Sequence, residues 1–393
     1  MYRSTGWTLG SGISPTYECA VTPRVQQCPG DFWRKMRDLP LITPRFAPQP
    51  DGVTWPTERW PRATGARHGD VDRLIDELFT LDDLAVTNAV VVVQGGQVIG
   101  ERYGGVKEYF DRPAEAITAT SSLLSWSMAK SVLHMIVGTL VDEGRLDTDQ
   151  RAPVPEWSDP NDPRHEIRLR DLLAMRDGLD FVEEYEIGPE SNVLEMLWGD
   201  GKTDMAAYTA NRPLAHEPGS KFYYSSGTTN ILSRIVADHV GYADAYNTYL
   251  HERLFRPIGM RSAIASFDDS GVFVASSFLH AHALDFAKFG LLYLRGGEWD
   301  GRQLISREWA ATAQPAISRD EEEGSYYSWH WWVTGDTYGT YWASGYEGQR
   351  IIVAPALDAV IVRLGHTPAE LYPALNSWRD RMLDALATSY TPS

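Results

Sequence analysis

Cysteine and lysine are both scarce in this chain. Only Cys19 and Cys28 occur among 393 residues, so no disulfide framework holds the fold and no C-x-x-C metal or redox pair exists, although these two could pair with each other. Lysine occurs at six positions (35, 107, 130, 202, 221 and 288) against thirty arginines. The net charge of -17 comes without a Lys/Arg cluster, which argues against nucleic acid as a partner. No apolar run approaches the roughly 18 to 20 residues of a membrane helix, so no membrane association is expected. The opening "MYRSTGWTLGSGISPTYECAV" lacks the apolar core of a secretory signal, and N-x-[ST] is absent. A cytoplasmic location is therefore expected, or a periplasmic one if the start is misassigned.

Several chemical signatures are missing too. There is no G-x-S-x-G elbow and no H-E-x-x-H, and "WGDGKT" has Met196 where a P-loop needs its first glycine. His280 and His282 alternate, but two isolated histidines fit capping or solvent-facing positions better than a metal site. No metal and no cofactor is implied. The expected partner is a small molecule, and a homodimer is left open.

What is present is an ordinary globular composition, 43% hydrophobic and 23% charged, long enough for one composite domain or two packed ones. Residues 1–70, rich in Pro, Arg, Trp and Gly, read as an irregular wrap. A helix at "DVDRLIDELFTL" leads to two β-rich runs flanking Gly95-Gly96, a hairpin signal. Residues 121–296 are mostly helical, with apolar spacing of three and four. After them "YYSWHWWVTG", "QRIIVAP" and "DAVIVRLG" read as strands, and "ELYPALNSWRDRMLDALATS" as a closing helix. The expected fold is therefore of the α/β (α+β) class: residues 71–120 and 297–393 form an antiparallel sheet flanked by the N- and C-terminal helices, and 121–296 form an inserted helical domain, with a site at the junction.

The candidate chemistry begins at "SSLLSWSMAKSVLHMIVGTL". Ser127 and Lys130 are three apart, so a helix puts them on one face. A serine hydroxyl needs a neighbouring base to become a nucleophile, and lysine can be that base where arginine cannot. With 27 serines and six lysines, chance gives about 0.4 S-x-x-K matches, so the motif alone decides little. The apolar flank predicts a buried helix, however, where a purely structural lysine is costly. In "HEPGSKFYYSSGTTNILSRIV", Tyr224 sits at a loop-to-helix junction with Thr and Asn as capping candidates, and could present its hydroxyl to a cleft. The bland alternative is a core aromatic followed by capping serines. In "YWASGYEGQRIIVAP", small residues before a β-run suit a strand whose backbone approaches a ligand, or simply a glycine-rich hairpin.

"S-M-A-K", "Y-S-S" and "A-S-G", in that order, resemble the three motifs of the serine β-lactamase and penicillin-binding-protein superfamily. "LLAMRDGLDF", "YLHERLFRPIGM", "ALDFAKFGLLYLRGG" and "WHWWVTG" extend the resemblance to the class C β-lactamase-related hydrolases. It is strongest to the 6-aminohexanoate-dimer (nylon-oligomer) hydrolases and family VIII-type carboxylesterases, over residues 70 to 385. That resemblance implies a β-lactamase/D,D-peptidase-like fold and an acyl-enzyme mechanism on an ester or linear amide. Ser127 would be the acylated nucleophile, Lys130 its base and Tyr224 the proton relay. The oxyanion hole would be the N–H groups of Ser127 and Tyr346. Tyr185, in a segment resembling a substrate-covering flap, would bind substrate together with Ser226, Ser344, Gly345, Trp331 and Trp332. Ser226 stands where the family commonly has asparagine, and Ala343 where it has Lys or His. Both departures favour esters or linear amides over the alternatives of a β-lactamase or a D,D-peptidase; a non-catalytic sensor that keeps the fold is a further alternative.

Overall fold

The five apolar residues 89–93 run without alternation because both faces of their strand are covered. In the computed structural model, which describes residues 39–64, 69–107, 114–185, 191–320 and 325–389, they form the middle of β1 (Val86–Gln94). Ala89, Val91 and Val93 point into one core and Val90 and Val92 into another. Gly95 and Gly96, at φ of 57° and 70°, turn the chain into β2 (Gln97–Tyr103), the left-handed pair that a two-residue hairpin requires.

Six later strands complete the sheet: β3 (Ser318–Arg319), β4 (Tyr326–Tyr327), β5 (Trp332–Val333), β6 (Tyr341–Gly345), β7 (Gln349–Ala354) and β8 (Ala359–His366). All pairs are antiparallel, in the order β3-β4-β5-β6-β7-β8-β1-β2. The last strand, β8, returns beside the first.

Helices α1 (Gly69–Thr80) and α5 (Tyr372–Ser389) cover one face, joined where Trp378 Nε1 donates to Leu74 O at 2.8 Å. Against the other face lie α2 (Ala129–Asp142) and α4 (Ala283–Leu294), with α3 (Ser226–Val240) packed beyond α2. Every residue of α2 from Ala129 to Leu140 is buried, the signature of a helix enclosed on all sides. This central helix carries the candidate base.

Three expectations change in detail. "YYSWHWWVTG" is a tight β4–β5 hairpin rather than one strand, because His330 at φ 56° reverses the chain. The cap of α3 is Ser225, whose Oγ accepts from Thr228 N at 3.1 Å, rather than Thr or Asn. Helix α4, from within the segment expected as an inserted domain, lies on the sheet. Of the expected wrap, residues 39–64 run along α4, with Trp60 Nε1 donating to Leu284 O (3.0 Å) and Ala47 N to Leu294 O (3.1 Å). Cys19 and Cys28 lie outside the described residues.

Candidate active site

Ser127 lies in a single 3-10 turn, Trp126–Met128, that feeds into α2. The preceding residue, Trp126, takes φ of 46°, a conformation that costs a non-glycine residue about 1 to 3 kcal/mol. Its indole is held by rings on every side: Tyr346 at 5.4 Å, Tyr185 at 6.3 Å, and Trp198 and Phe278 each at 6.4 Å. Packing thus fixes the strained turn that aims the next side chain.

Ser127 retains 7% exposure and Lys130 only 1%. The lysine Nζ lies 3.0 Å from Ser127 Oγ, 3.0 Å from Ser226 Oγ and 3.0 Å from Ser276 O. Burial pushes its ammonium down from 10.5 to about 8, while Glu183 pulls the other way. A full positive charge there is disfavoured by about 3 kcal/mol relative to water. The shift makes the free base available near neutral pH.

Tyr224 comes one residue before the α3 cap, and Tyr223 N, bonded to Met175 O at 2.9 Å, anchors the segment. Lys130 Nζ sits 4.7 Å above the Tyr224 ring, which leans on Trp332 at 5.5 Å and Tyr327 at 6.0 Å. Burial raises the Tyr224 phenol far above its usual value, against a hydrogen bond with Ser127 that lowers it. It stays a neutral phenol at every physiological pH.

Strand β6 reaches the Ser127 turn edge-on. A Cβ on Gly345 would stand 2.3 Å from Ser125 O and 3.1 Å from Trp126 Cβ, so only glycine lets the two backbones touch. The next residue, Tyr346, stacks on Tyr185 with ring centroids 4.5 Å apart, and together with Trp126 and the exposed Trp198 they form an aromatic mouth.

Comparison with known proteins identifies the family and the fold. A family model described as beta-lactamase matches residues 72–382. The chain belongs to the beta-lactamase family. As a member, it is a serine hydrolase of that fold. It is 28% identical, over 87% of both chains, to the 6-aminohexanoate-dimer hydrolase of Paenarthrobacter ureafaciens. Among solved structures it resembles a Bacillus anthracis protein provisionally named a 6-aminohexanoate-dimer hydrolase (24% identity, 96% and 97% of the chains covered, TM-score 0.69). A family VIII carboxylesterase (14%, 84% and 99%, TM-score 0.63) shares the fold.

Of the residues anticipated from sequence, this beta-lactamase-family fold brings Ser127, Lys130, Tyr224, Ser226, Gly345, Tyr346, Tyr185 and Trp332 together. Trp331 is a correction. It is fully buried against Phe289, Tyr293 and Tyr341, because adjacent residues of an extended segment face opposite ways and only Trp332 turns toward Tyr224. Ser226 is also fully buried, and its hydroxyl is engaged by Lys130 and Glu183 rather than open to a substrate. Ser344 faces away from Ala343, cross-strand from Arg350.

Three contributors escaped the sequence reading. Glu183 bonds Ser226 through both carboxylate oxygens, accepting from N at 2.7 Å and from Oγ at 2.5 Å. Ser276 supplies the carbonyl for Lys130, and Asn230, one turn after Ser226 on α3, steadies it: Asn230 Oδ1 accepts from Ser276 N at 3.3 Å, and Nδ2 donates to Ser276 Oγ at 3.2 Å. The spacing of Ser226 and Asn230 was the one local signal available. Among the described residues no group of three or more His, Cys, Asp or Glu is placed to hold a metal ion, and no helix is long and apolar enough to cross a membrane.

Proposed function

We propose that this protein hydrolyses a small ester or linear amide through an acyl-enzyme on Ser127. The observation that carries the reading is the buried Lys130 amine 3.0 Å from the Ser127 hydroxyl. Lys130 takes the hydroxyl proton as Ser127 Oγ attacks the carbonyl carbon, and the tetrahedral oxyanion is received by the N–H groups of Ser127 and Tyr346. The carbonyl re-forms as the bond to the leaving oxygen or nitrogen breaks. The proton held on Lys130 reaches that atom through the neutral Tyr224 phenol. Water then attacks the acyl group with the same groups in reverse, releasing the carboxylic acid and restoring Ser127.

Ala343 leaves no cation beside the site at the position where a β-lactamase or D,D-peptidase carries one for its substrate's carboxylate. The aromatic mouth of Trp126, Tyr185, Tyr346 and Trp198 suits an uncharged, linear or aromatic group. Turnover of p-nitrophenyl acetate, the 6-aminohexanoate dimer and nitrocefin compared side by side tests the reading: hydrolysis of either of the first two with little nitrocefin turnover is expected, and rapid nitrocefin turnover would overturn it. A fluorophosphonate probe should add mass to the protein but not to Ser127→Ala.

A further inference from the structure

We propose that Glu183 is a positioning residue which, acting through the Ser226 hydroxyl, fixes the direction in which Lys130 offers its lone pair to Ser127. The inference rests on the acyl-enzyme reading above and adds a residue to it.

The argument follows from donors and acceptors. In its ionised form the Glu183 carboxylate only accepts, so the Ser226 Oγ–H, 2.5 Å from Glu183 Oε1, donates to it. Its remaining lone pairs then face Lys130, making Ser226 an acceptor for one lysine N–H at 3.0 Å. The backbone carbonyl of Ser276, which also only accepts, takes the second N–H at 3.0 Å. A neutral amine has two N–H bonds and one lone pair. With both N–H bonds committed, the lone pair has one direction left, toward the Ser127 hydroxyl at 3.0 Å. Without Glu183, Ser226 could rotate and donate to the amine, turning the lone pair away from the nucleophile.

The carboxylate has a second, opposing effect through its charge. It favours the ammonium form of Lys130, so burial has to overcome it. Burial raises the Glu183 carboxyl itself above the ordinary glutamate range, while Lys130 and the hydrogen bonds from Ser226 lower it. The other ionisable groups facing the pair are Tyr185, whose hydroxyl is 3.4 Å from Glu183 Oε1, Tyr224 under the amine, Tyr327, and His330 behind Lys130. All three phenols are raised by burial and His330 is lowered to about 3, so none changes charge between pH 6 and 9.

Two variants separate orientation from charge, read by kcat/KM and kcat for p-nitrophenyl acetate across pH 6 to 9.5. Glu183→Gln removes the charge: the acid limb should move down by about half a pH unit or more, with the high-pH plateau of kcat reduced roughly tenfold. Ser226→Ala keeps the charge but breaks the relay: the plateau should fall by a similar factor with no downward shift of the limb. A wild-type plateau in Glu183→Gln overturns the positioning role, whether or not the limb moves. Should that variant fail to fold by circular dichroism, an unchanged plateau in Ser226→Ala overturns it instead. Fluorophosphonate labelling of the wild type distinguishes the two readings. Absence of a Ser127 adduct sinks the acyl-enzyme and this inference with it, whereas normal labelling with unmoved kinetics sinks the inference alone.

Discussion

Lowering the pH from 8 to 6 should reduce kcat/KM for an activated ester about fiftyfold. In the proposed mechanism the base that activates Ser127 has to be unprotonated, and burial sets the Lys130 ammonium at about 8. Half of the lysine is then neutral at pH 8 and about one hundredth at pH 6. An unburied lysine at 10.5 would be only about 0.3% neutral at pH 8, so burial supplies a gain of roughly two orders of magnitude in reactive enzyme. The direction follows from the sign of the shift: activity rises with pH through the limb near 8 and levels off above about 9. Neither His330, neutral down to about 3, nor Tyr224, kept protonated by burial, titrates in this window. The assay is initial-rate hydrolysis of p-nitrophenyl acetate, whose leaving group needs little protonation, with product read at an isosbestic wavelength. A profile flat from pH 6.5 to 9, or a limb centred below 6.5, would refute Lys130 as the base.

Other consequences separate the roles of individual side chains. Tyr224→Phe keeps the ring beneath Lys130 but loses the proton relay, so kcat for an amide should drop by about 10²- to 10⁴-fold and that for an activated ester by much less. Gly345→Ala forces its Cβ against Ser125 O, spreading β6 from the nucleophile turn, and fluorophosphonate labelling should slow by about 10²-fold or more. Trp331→Ala should cost about 3 to 5 kcal/mol in urea unfolding, because the ring is enclosed by Phe289, Tyr293 and Tyr341. Trp332→Ala, beside Tyr224, should instead act mainly on KM and kcat, a contrast within one dipeptide.

Much of the candidate site was legible because its signals are local. Ser127 and Lys130 share one helix start, Tyr224 immediately precedes a cap, and Gly345 closes the small run Ala343-Ser344-Gly345 at a strand end. Each is a spacing or turn signal within a few positions. The apolar run at 89–93 and the Gly95-Gly96 turn likewise wrote the central hairpin into the chain, since a strand covered on both faces needs no alternation. The hairpin at His330 was hidden, because nothing in "YYSWHWWVTG" marks a non-glycine residue at positive φ. That turn is held from elsewhere in the fold: His330 N and Nδ1 reach Leu173 O at 3.2 and 2.9 Å, and His330 O accepts from Ser131 Oγ at 2.7 Å.

The sequence by itself determined which residues make up the candidate site and in what order they meet the fold: a serine and a lysine on one turn, a phenol at a helix cap and a glycine at a strand end. Tertiary structure alone decided the surroundings that the proposed mechanism needs. Lys130 is lowered because α2 is enclosed on every side, its amine is oriented because Ser276 and Ser226 arrive from segments 146 and 96 residues away, and Glu183 reaches Ser226 across 43 residues. Desolvation and hydrogen-bond direction depend on all neighbours in space at once, and no window of sequence contains them.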